Sequence, residues 1–490
     1  MISRITSSKN FYLLLAISGI VIFSGLFIYK FQGTLLPMLW LPGVFFLLLF
    51  LWTFYFEKLL WGTVFFIPLS INLADIGKGF GISLPLEILL VVIGATSLIR
   101  LLKKSWIKKE ELFHPVSIVI FLQTAWIFVG IFFSGNSMIS AKFLISRGLY
   151  LLVFYFFFLS YFRKISAIID FIRLYFLGFL PVIILAGYYM ITTGLSRSFS
   201  PVLARPFFSD HTIFAACLCL IFPGVAMLSI HRKRFLPSSL FSLIFIPAPF
   251  IILFGIYFSF SRASWLGVIL IFFVWLMLKI KIKFPAFLGI ACFLSFAIFI
   301  FRGQLTDKLQ PDSQIGEETV FGNIQSVTDI ESNESNLERI NRWNCAIEMY
   351  KESPILGYGP GTYEIFYPVF QITSDMTRIS TWKGDLGDAH SEYLSALSEQ
   401  GIPGLIILIF LYLILIKTAM KIYYENPGGP SGKLAMGILL GMFTYFLHGG
   451  VNSFIDIDKL ASLFWAMAGM LTALDLYHQK TDFPFQNPHD

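Results

Sequence analysis

Three side chains stand where an apolar chain has least reason to keep them. Arg205 lies in Ala-Arg-Pro-Phe-Phe-Ser-Asp-His-Thr, just ahead of an apolar run, and Arg262 lies in Ser-Phe-Ser-Arg-Ala-Ser-Trp, in a tight turn between two such runs. An arginine at mid-bilayer costs about 2.5–3.5 kcal/mol even on a lenient scale, so arginines at its edge need a reason. A lone one serves equally well as a headgroup anchor. Two together suit a diphosphate, because guanidinium binds phosphate oxygens in a planar, two-point fashion. Arg147, near the outer end of another apolar run, offers a third contact or an interfacial anchor. The third side chain is His390, in Asp388-Ala-His390-Ser-Glu-Tyr-Leu-Ser-Ala-Leu-Ser-Glu399-Gln-Gly401-Ile-Pro-Gly404. The spacing predicts a helix from about Ala389 in which His390, Leu394, Leu397 and Gly401 share one face. An imidazole where such a helix meets the bilayer can act as general base near neutral pH, or be a helix-terminal histidine satisfied by its neighbours. Glu399 is placed to cap or pair locally, and Gly401 and Gly404 to turn the chain into the membrane. A further polar string, His448-Gly-Gly-Val-Asn452-Ser-Phe-Ile-Asp456, reads either as a turn between helices or as a rim of the same site.

The elements that must position these groups are membrane helices. Of 490 residues, 57% are hydrophobic and only 13% charged, against about 25% charged in soluble domains. Apolar runs of about 20 residues recur along the chain, the length that crosses the hydrocarbon core as helix. Period-2 alternation is absent, which excludes a membrane β-barrel. About fourteen spans are expected, near 11–29, 35–56, 58–74, 84–102, 115–133, 143–162, 168–191, 211–230, 240–260, 264–280, 284–301, 402–422, 432–450 and 459–477. Those between residues 30 and 80 are the least separated. The first run is long and lacks a cleavage site, so it reads as a retained span.

The net charge of +7 does not mark a nucleic-acid binder. Lys and Arg cluster in alternate loops: Arg100 to Lys109, Arg163–Lys164, Arg232 to Arg234, Lys279 to Lys283, and Lys417 to Lys433. By the positive-inside rule these loops and both termini are cytoplasmic. The polar segment of residues 302–401 then falls outside. It is too long for a structureless connector. Its part from 310 to 333 is rich in Asp, Glu, Ser, Asn and Gly, after which Ser335 and Glu338 offer a capping box. Ile340, Trp343, Ile347 and Tyr350 follow on one helical face, Ser353-Pro354 stops that helix, and Gly357-Tyr-Gly-Pro-Gly361 comes next. The expected architecture is an all-α, polytopic membrane bundle of about 12–14 spans with a large helical external loop: bundle 1–301, cap 302–401, and C-terminal spans with a cytoplasmic tail, 402–490. No internal repeat points to an inverted-repeat transporter.

Other chemistries find no motif. Cys217, Cys219 and Cys292 lie in apolar runs and Cys345 stands apart, giving neither a disulfide framework nor zinc spacing. The histidines are dispersed, and neither a Walker A loop nor a dinucleotide fingerprint occurs. No metal or cofactor is expected.

Taken in order, three elements resemble the O-antigen ligase and polymerase superfamily: the Ser-Arg-Ala-Ser turn around Arg262; the external run Glu338-Arg-Ile-Asn-Arg342-Trp343, followed by Ala346, Met349, Ser353-Pro354, Gly357 and Gly359; and Ala389-His390-Ser with Leu394, Glu399, Gly401 and Gly404. The similarity covers roughly residues 200–460, and the ligases typically have fewer spans than are counted here. The resemblance implies an inverting, metal-independent glycosyltransferase of the bacterial inner membrane, working at its periplasmic face. Its donor would be a glycan on undecaprenyl diphosphate. Its acceptor would be a lipid A-core sugar in a ligase, another lipid-linked repeat in a polymerase, or a protein hydroxyl in related members. On that footing His390 would activate the acceptor hydroxyl, Arg205 and Arg262 would hold the diphosphate, and Arg339 and Arg342 would contact diphosphate or glycan. His448 and Asn452 would join Arg147 as substrate contacts. The rival class is a lipid-linked glycan flippase, which would need charges lining a path through the spans.

Overall fold

The computed structural model describes residues 55–73, 83–103, 106–194, 200, 202–237, 240–290, 293, 337–372, 376, 380, 382 and 387–478. The spans expected at 11–29 and 35–56, most of that at 284–301, Cys292, Ser335 and the acidic stretch 310–333 lie outside these residues. The described chain is a helical bundle. Its main helices are α1 (Leu86–Lys103), α2 (Pro115–Phe133), α3 (Ser137–Phe162), α4 (Ile165–Thr192), α5 (His211–Ile230), α6 (Ala248–Phe258) and α7 (Arg262–Lys279). After the cap helix α8 (337–352) and the single turn α9 (Tyr363–Phe366) come α10 (Glu392–Glu425), α11 (Pro430–His448) and α12 (Asp458–Tyr477). Among the described residues, seven helices are long and apolar enough to cross a membrane: α2 to α5, α7, α10 and α12. Their outward faces carry large apolar side chains, such as Phe132 at 71% and Phe272 at 57% exposed. Such faces are stable only against lipid. The chain is an all-α polytopic membrane protein.

Local chemistry sets the ends. α2 starts with Pro115 at its first position and the His114 ring accepting the Val116 N–H; α3 starts with Asn136 accepting the Ile139 N–H; α5 starts with Asp210 accepting the Thr212 N–H. These are standard N-caps. Two expected spans are interrupted. The helix at 55–66 ends ahead of Pro68, which disfavours helix at the residue before it, and Ile71–Asn72 (β1) pairs antiparallel with Ser83–Leu84 (β2). The span expected at 240–260 is a 3-10 turn, Leu240–Phe245, then the short α6, divided at Pro247. Within α3, residues Leu151–Phe157 widen into a π-helix that packs against α12, with the Tyr155 hydroxyl 3.0 Å from Thr472 Oγ1. α5 and α11 approach so closely that a Cβ on Gly441 would lie 2.2 Å from the Leu220 carbonyl oxygen, the small-residue packing typical of membrane helices.

The connections gather at two ends. At the basic end Arg163 donates to both oxygens of the buried Glu111 (2.7 and 2.8 Å), and Lys421 pairs with Asp475 at 2.8 Å. At the other end the cap is clasped to α10 by its backbone: Tyr358 N–H to Ser398 O (3.0 Å), Gly359 N–H to Glu399 O (2.9 Å) and Ile402 N–H to Pro354 O (2.9 Å). Gly401 kinks α10 with φ +69°, and a Cβ there would sit 2.2 Å from the Ile355 carbonyl oxygen; on Gly357 (φ +67°) it would sit 2.2 Å from the Glu399 backbone. Gly401→Ala therefore combines backbone strain with a clash against main chain, a loss above about 1–3 kcal/mol. It is expected to lower the melting temperature and yield of the purified protein. Gly148→Ala, whose Cβ would meet nothing within 4 Å, should be neutral or slightly stabilising.

Candidate active site

The cap helix α8 buries a polar face. Ile340, Trp343, Ile347 and Tyr350 share one helical face, yet Ile347 is exposed, and the buried positions are Glu338, Asn341, Arg342, Cys345, Ala346 and Met349. A buried guanidinium drives this choice, since Arg342 needs partners inside. Its Nε donates to Glu338 Oε1 (3.0 Å), Nη1 donates to the Asp388 carbonyl (2.9 Å), and its plane lies over the Tyr367 ring. The other Glu338 oxygen accepts from Ser380, so the carboxylate placed for a capping box is occupied with cap contacts. Beside Arg342, the Trp343 indole N–H donates to the His390 carbonyl at 3.3 Å. Two side chains of one cap helix thus hold the backbone of residues 388–390.

His390 precedes the helix instead of lying in it. Its φ is +49°, Ser391 is the N-cap, and α10 begins at Glu392. The expected start near Ala389 is corrected by these residues: the Asp388 carboxylate accepts the His390 N–H at 2.7 Å and stabilises the left-handed turn. The same oxygen lies 3.6 Å from His390 Nδ1, a contact that tightens into a hydrogen bond with little motion. Partial burial, then Arg342 and Arg339, hold the imidazole down to about 4, with Asp210 and Glu338 opposing. Burial pushes the Asp388 carboxyl up to about 6. Arg339 is lowered chiefly by burial; Asp210 raises it and Arg262 lowers it further, and its Nε finds no partner. Arg339 therefore lies within electrostatic reach of Arg262, Asp210 and His390, and Asp210 within reach of His390.

Arg262 is exposed at the first position of α7. Its turn is built by serines: Ser261 N–H donates to Ser259 Oγ (3.2 Å), Ser264 Oγ donates to Ser261 Oγ (2.9 Å), and Ser264 Oγ lies 3.2 Å from His448 Nε2. His448 is fully buried and supports the arginine turn from behind. Arg205 is exposed in the turn that leads to Asp210, the N-cap of α5. Arg147 is buried, and Nε and Nη2 donate to the two oxygens of Asp456 at 2.9 and 2.6 Å. Asn452 is buried, and its carbonyl accepts the Glu392 N–H at 3.2 Å.

One carboxylate, Glu392, escapes sequence reasoning, and Glu399 is legible there only as a local cap or pair. Glu392 is buried; its Oε1 accepts from the Phe454 and Ile455 N–H groups and from the Tyr445 hydroxyl. Glu399 accepts the Gly361 and Tyr363 N–H groups, each at 2.9 Å, which caps α9. Lys459, buried with Nζ over the Phe208 ring, adds a cation near the Arg205 turn. Only the clustering of polar residues in the strings at 388–404 and 448–456 hints at the carboxylates.

Fold and candidate site together define an all-α membrane protein in which a polar cap meets one end of the bundle. Residues 247–409 match the family described as O-Antigen ligase. That stretch contains Arg262, Arg339, Arg342 and His390. The match supports the O-antigen ligase and polymerase superfamily and a ligase- or polymerase-type role in glycan transfer. No curated protein matches the sequence.

Proposed function

We propose that this chain transfers a glycan from undecaprenyl diphosphate to an acceptor hydroxyl, with a lipid A-core sugar as the leading acceptor, at the periplasmic face of the bacterial inner membrane. In this reading 302–401 is the periplasmic cap between the spans of 1–301 and 402–490, and both termini are cytoplasmic. One observation carries it: a histidine with a carboxylate behind it shares an electrostatic neighbourhood with Arg339, which in turn neighbours Arg262 at the rim of a membrane bundle. The lipid tail stays among the spans while Arg262 and Arg339, joined by Arg205 from the turn that leads to Asp210, neutralise the diphosphate. The N-terminal amides of α7 add to that field. His390 Nε2 takes the proton of the acceptor hydroxyl, whose oxygen bonds the anomeric carbon as the bond from that carbon to the diphosphate breaks. The electron pair leaves with the diphosphate, and configuration inverts. Stabilising charge as it develops on a leaving group is a main source of rate enhancement. Arg342 and Trp343 are positioning residues for the loop that bears His390.

The purified protein in detergent, given labelled lipid-diphosphate glycan and extracted envelope glycolipid, is expected to form a glycosylated product, also in the presence of EDTA. Detergent removes any need for transport, so product formation rejects a flippase. Absence of product, or a strict need for a divalent cation, overturns the reading. In cells lacking the gene, loss of all glycan from the lipid A core marks a ligase, and a single repeat on the core marks a polymerase.

A further inference from the structure

We propose that the cavity beneath the cap, whose wall includes Asp388 of the His390 loop, is the subsite for the acceptor's saccharide; this rests on the transferase reading above. The cavity has a volume of about 300 Å³, and its walls include Gln123, Phe143, Asp388, Ser395, Glu399 and Asp456. That is the small end of the range for ligand pockets, about 300–1,000 Å³, and suits a sugar ring or two.

Its charge is opposite to that of the arginine cluster. Glu364, Glu392 and Arg147 complete the set of charged groups around it, and the Arg147 guanidinium is already paired with Asp456. Five carboxyl groups against one already paired cation disfavour a diphosphate. They suit a ligand rich in hydroxyls, because carboxyl oxygens offer it several acceptor sites. Glu392 and Glu399 each keep acceptor capacity beyond their bonds to the protein.

A second observation points to a ligand. Gln123 on α2 is only 4% exposed, and its side-chain oxygen has no hydrogen-bond partner in the protein. A buried amide oxygen in that state is unusual in native structures. A sugar hydroxyl in the cavity supplies the missing donor. Placement agrees as well: Asp388 lines the cavity and also binds the His390 N–H. An acceptor hydroxyl thus reaches the imidazole from the acidic side, and the diphosphate from the basic side.

The test is Gln123→Leu in the full-length protein in detergent. Glycolipid extracted from envelopes of cells lacking the gene is titrated as acceptor against saturating lipid-diphosphate glycan. Removing an unsatisfied buried polar group tends to leave a fold as stable or more so, so the melting temperature should hold or rise. The acceptor concentration for half-maximal rate is expected to rise about tenfold or more with kcat little changed, the pattern of lost uniform binding. Half-saturation by donor should not move. Ser395→Ala, which removes one hydroxyl from the same wall, should shift the acceptor response in the same direction and serves if Gln123→Leu fails to fold. Unchanged acceptor response in the folded variants means that the cavity holds water only and overturns the inference. A shift in donor response instead assigns the cavity to the donor glycan and overturns it too. Absence of product from the wild-type protein is a separate result that removes the parent reading.

Discussion

His390→Ala is expected to lower glycan transfer by about 10²–10⁴-fold, the usual contribution of a positioned general base, while the protein remains folded. The fold should survive because the loop around His390 is held through backbone groups, by Arg342, Trp343 and Asp388, and the imidazole itself is 36% exposed. The pH profile gives a readout that a structural role would not. Burial and the nearby Arg342 and Arg339 depress this histidine to about 4, so it is neutral, and able to accept a proton, through the physiological range. The acid limb of kcat/KM, which reports the free enzyme, should therefore lie near pH 4, well below the ordinary histidine value of about 6.5. Diphosphate offsets the cations that hold the imidazole down, so the limb of kcat, which reports the complex, should lie higher. Arg339→Gln should move the kcat/KM limb upward. Linkage has the matching sign: a depressed histidine contributes stability above its unfolded value, lost as pH falls from about 6.5 towards 4. Wild-type transfer by His390→Ala, or a kcat/KM limb at the ordinary value that Arg339→Gln leaves in place, would falsify the assignment.

Arg262→Ala should cost about 10²–10³-fold in kcat, about 2.7–4 kcal/mol, the scale for removing one preorganised donor from a developing anion. The side chain is exposed and at the first position of α7, so its loss leaves no buried partner unpaired, and stability should change little. Arg262→Lys should recover only part of the rate, because an ammonium supplies a point charge and not the planar fork that grips two phosphate oxygens. The measurement is steady-state transfer with donor and acceptor varied in turn. A rise in donor half-saturation with kcat intact would reduce Arg262 to a ground-state anchor. Full activity in the alanine variant would remove the diphosphate site from this turn.

The helices α2 and α5 occupy the residues expected from sequence, Pro115–Phe133 and His211–Ile230, because hydropathy and N-capping agree there, and in α5 they prevail over the internal Pro223. The interrupted span at 240–260 shows where hydropathy alone misleads: the residues are apolar throughout, and proline chemistry decides that only part is α-helix. Cap helix α8 misleads for the opposite reason. Its apolar periodicity is real, but the buried ion pair of Arg342 with Glu338 sets which side faces in, and a helical wheel counts that pair as surface. The site shows the same division. Arg262 and His390 stand out as polar residues in apolar company. The companions that tune His390, Asp388 excepted, come from elsewhere in the chain: Arg339, Arg342 and Glu338 on α8 and Asp210 before α5. Other polar pairs of the region reach further, with Arg147 meeting Asp456 across 309 positions and Glu392 binding amides 62 and 63 residues away. Such pairings leave no local signal, and a single sequence carries no covariation to reveal them.

The clasp between the glycine stretch at 357–361 and the kink at Gly401 has a consequence for how such chains can diverge. Two carboxylate oxygens of Glu399 are matched to two amides two residues apart, and two backbones meet with no room for a side chain between them. Losing or gaining a single residue here would slide one strand of contacts past the other and swing the His390 loop with it. Tolerance of insertions must therefore be very uneven, absent at this seam and ample where the chain is free of it, so that loop length elsewhere can be tuned to new glycans while the reacting groups keep their spacing.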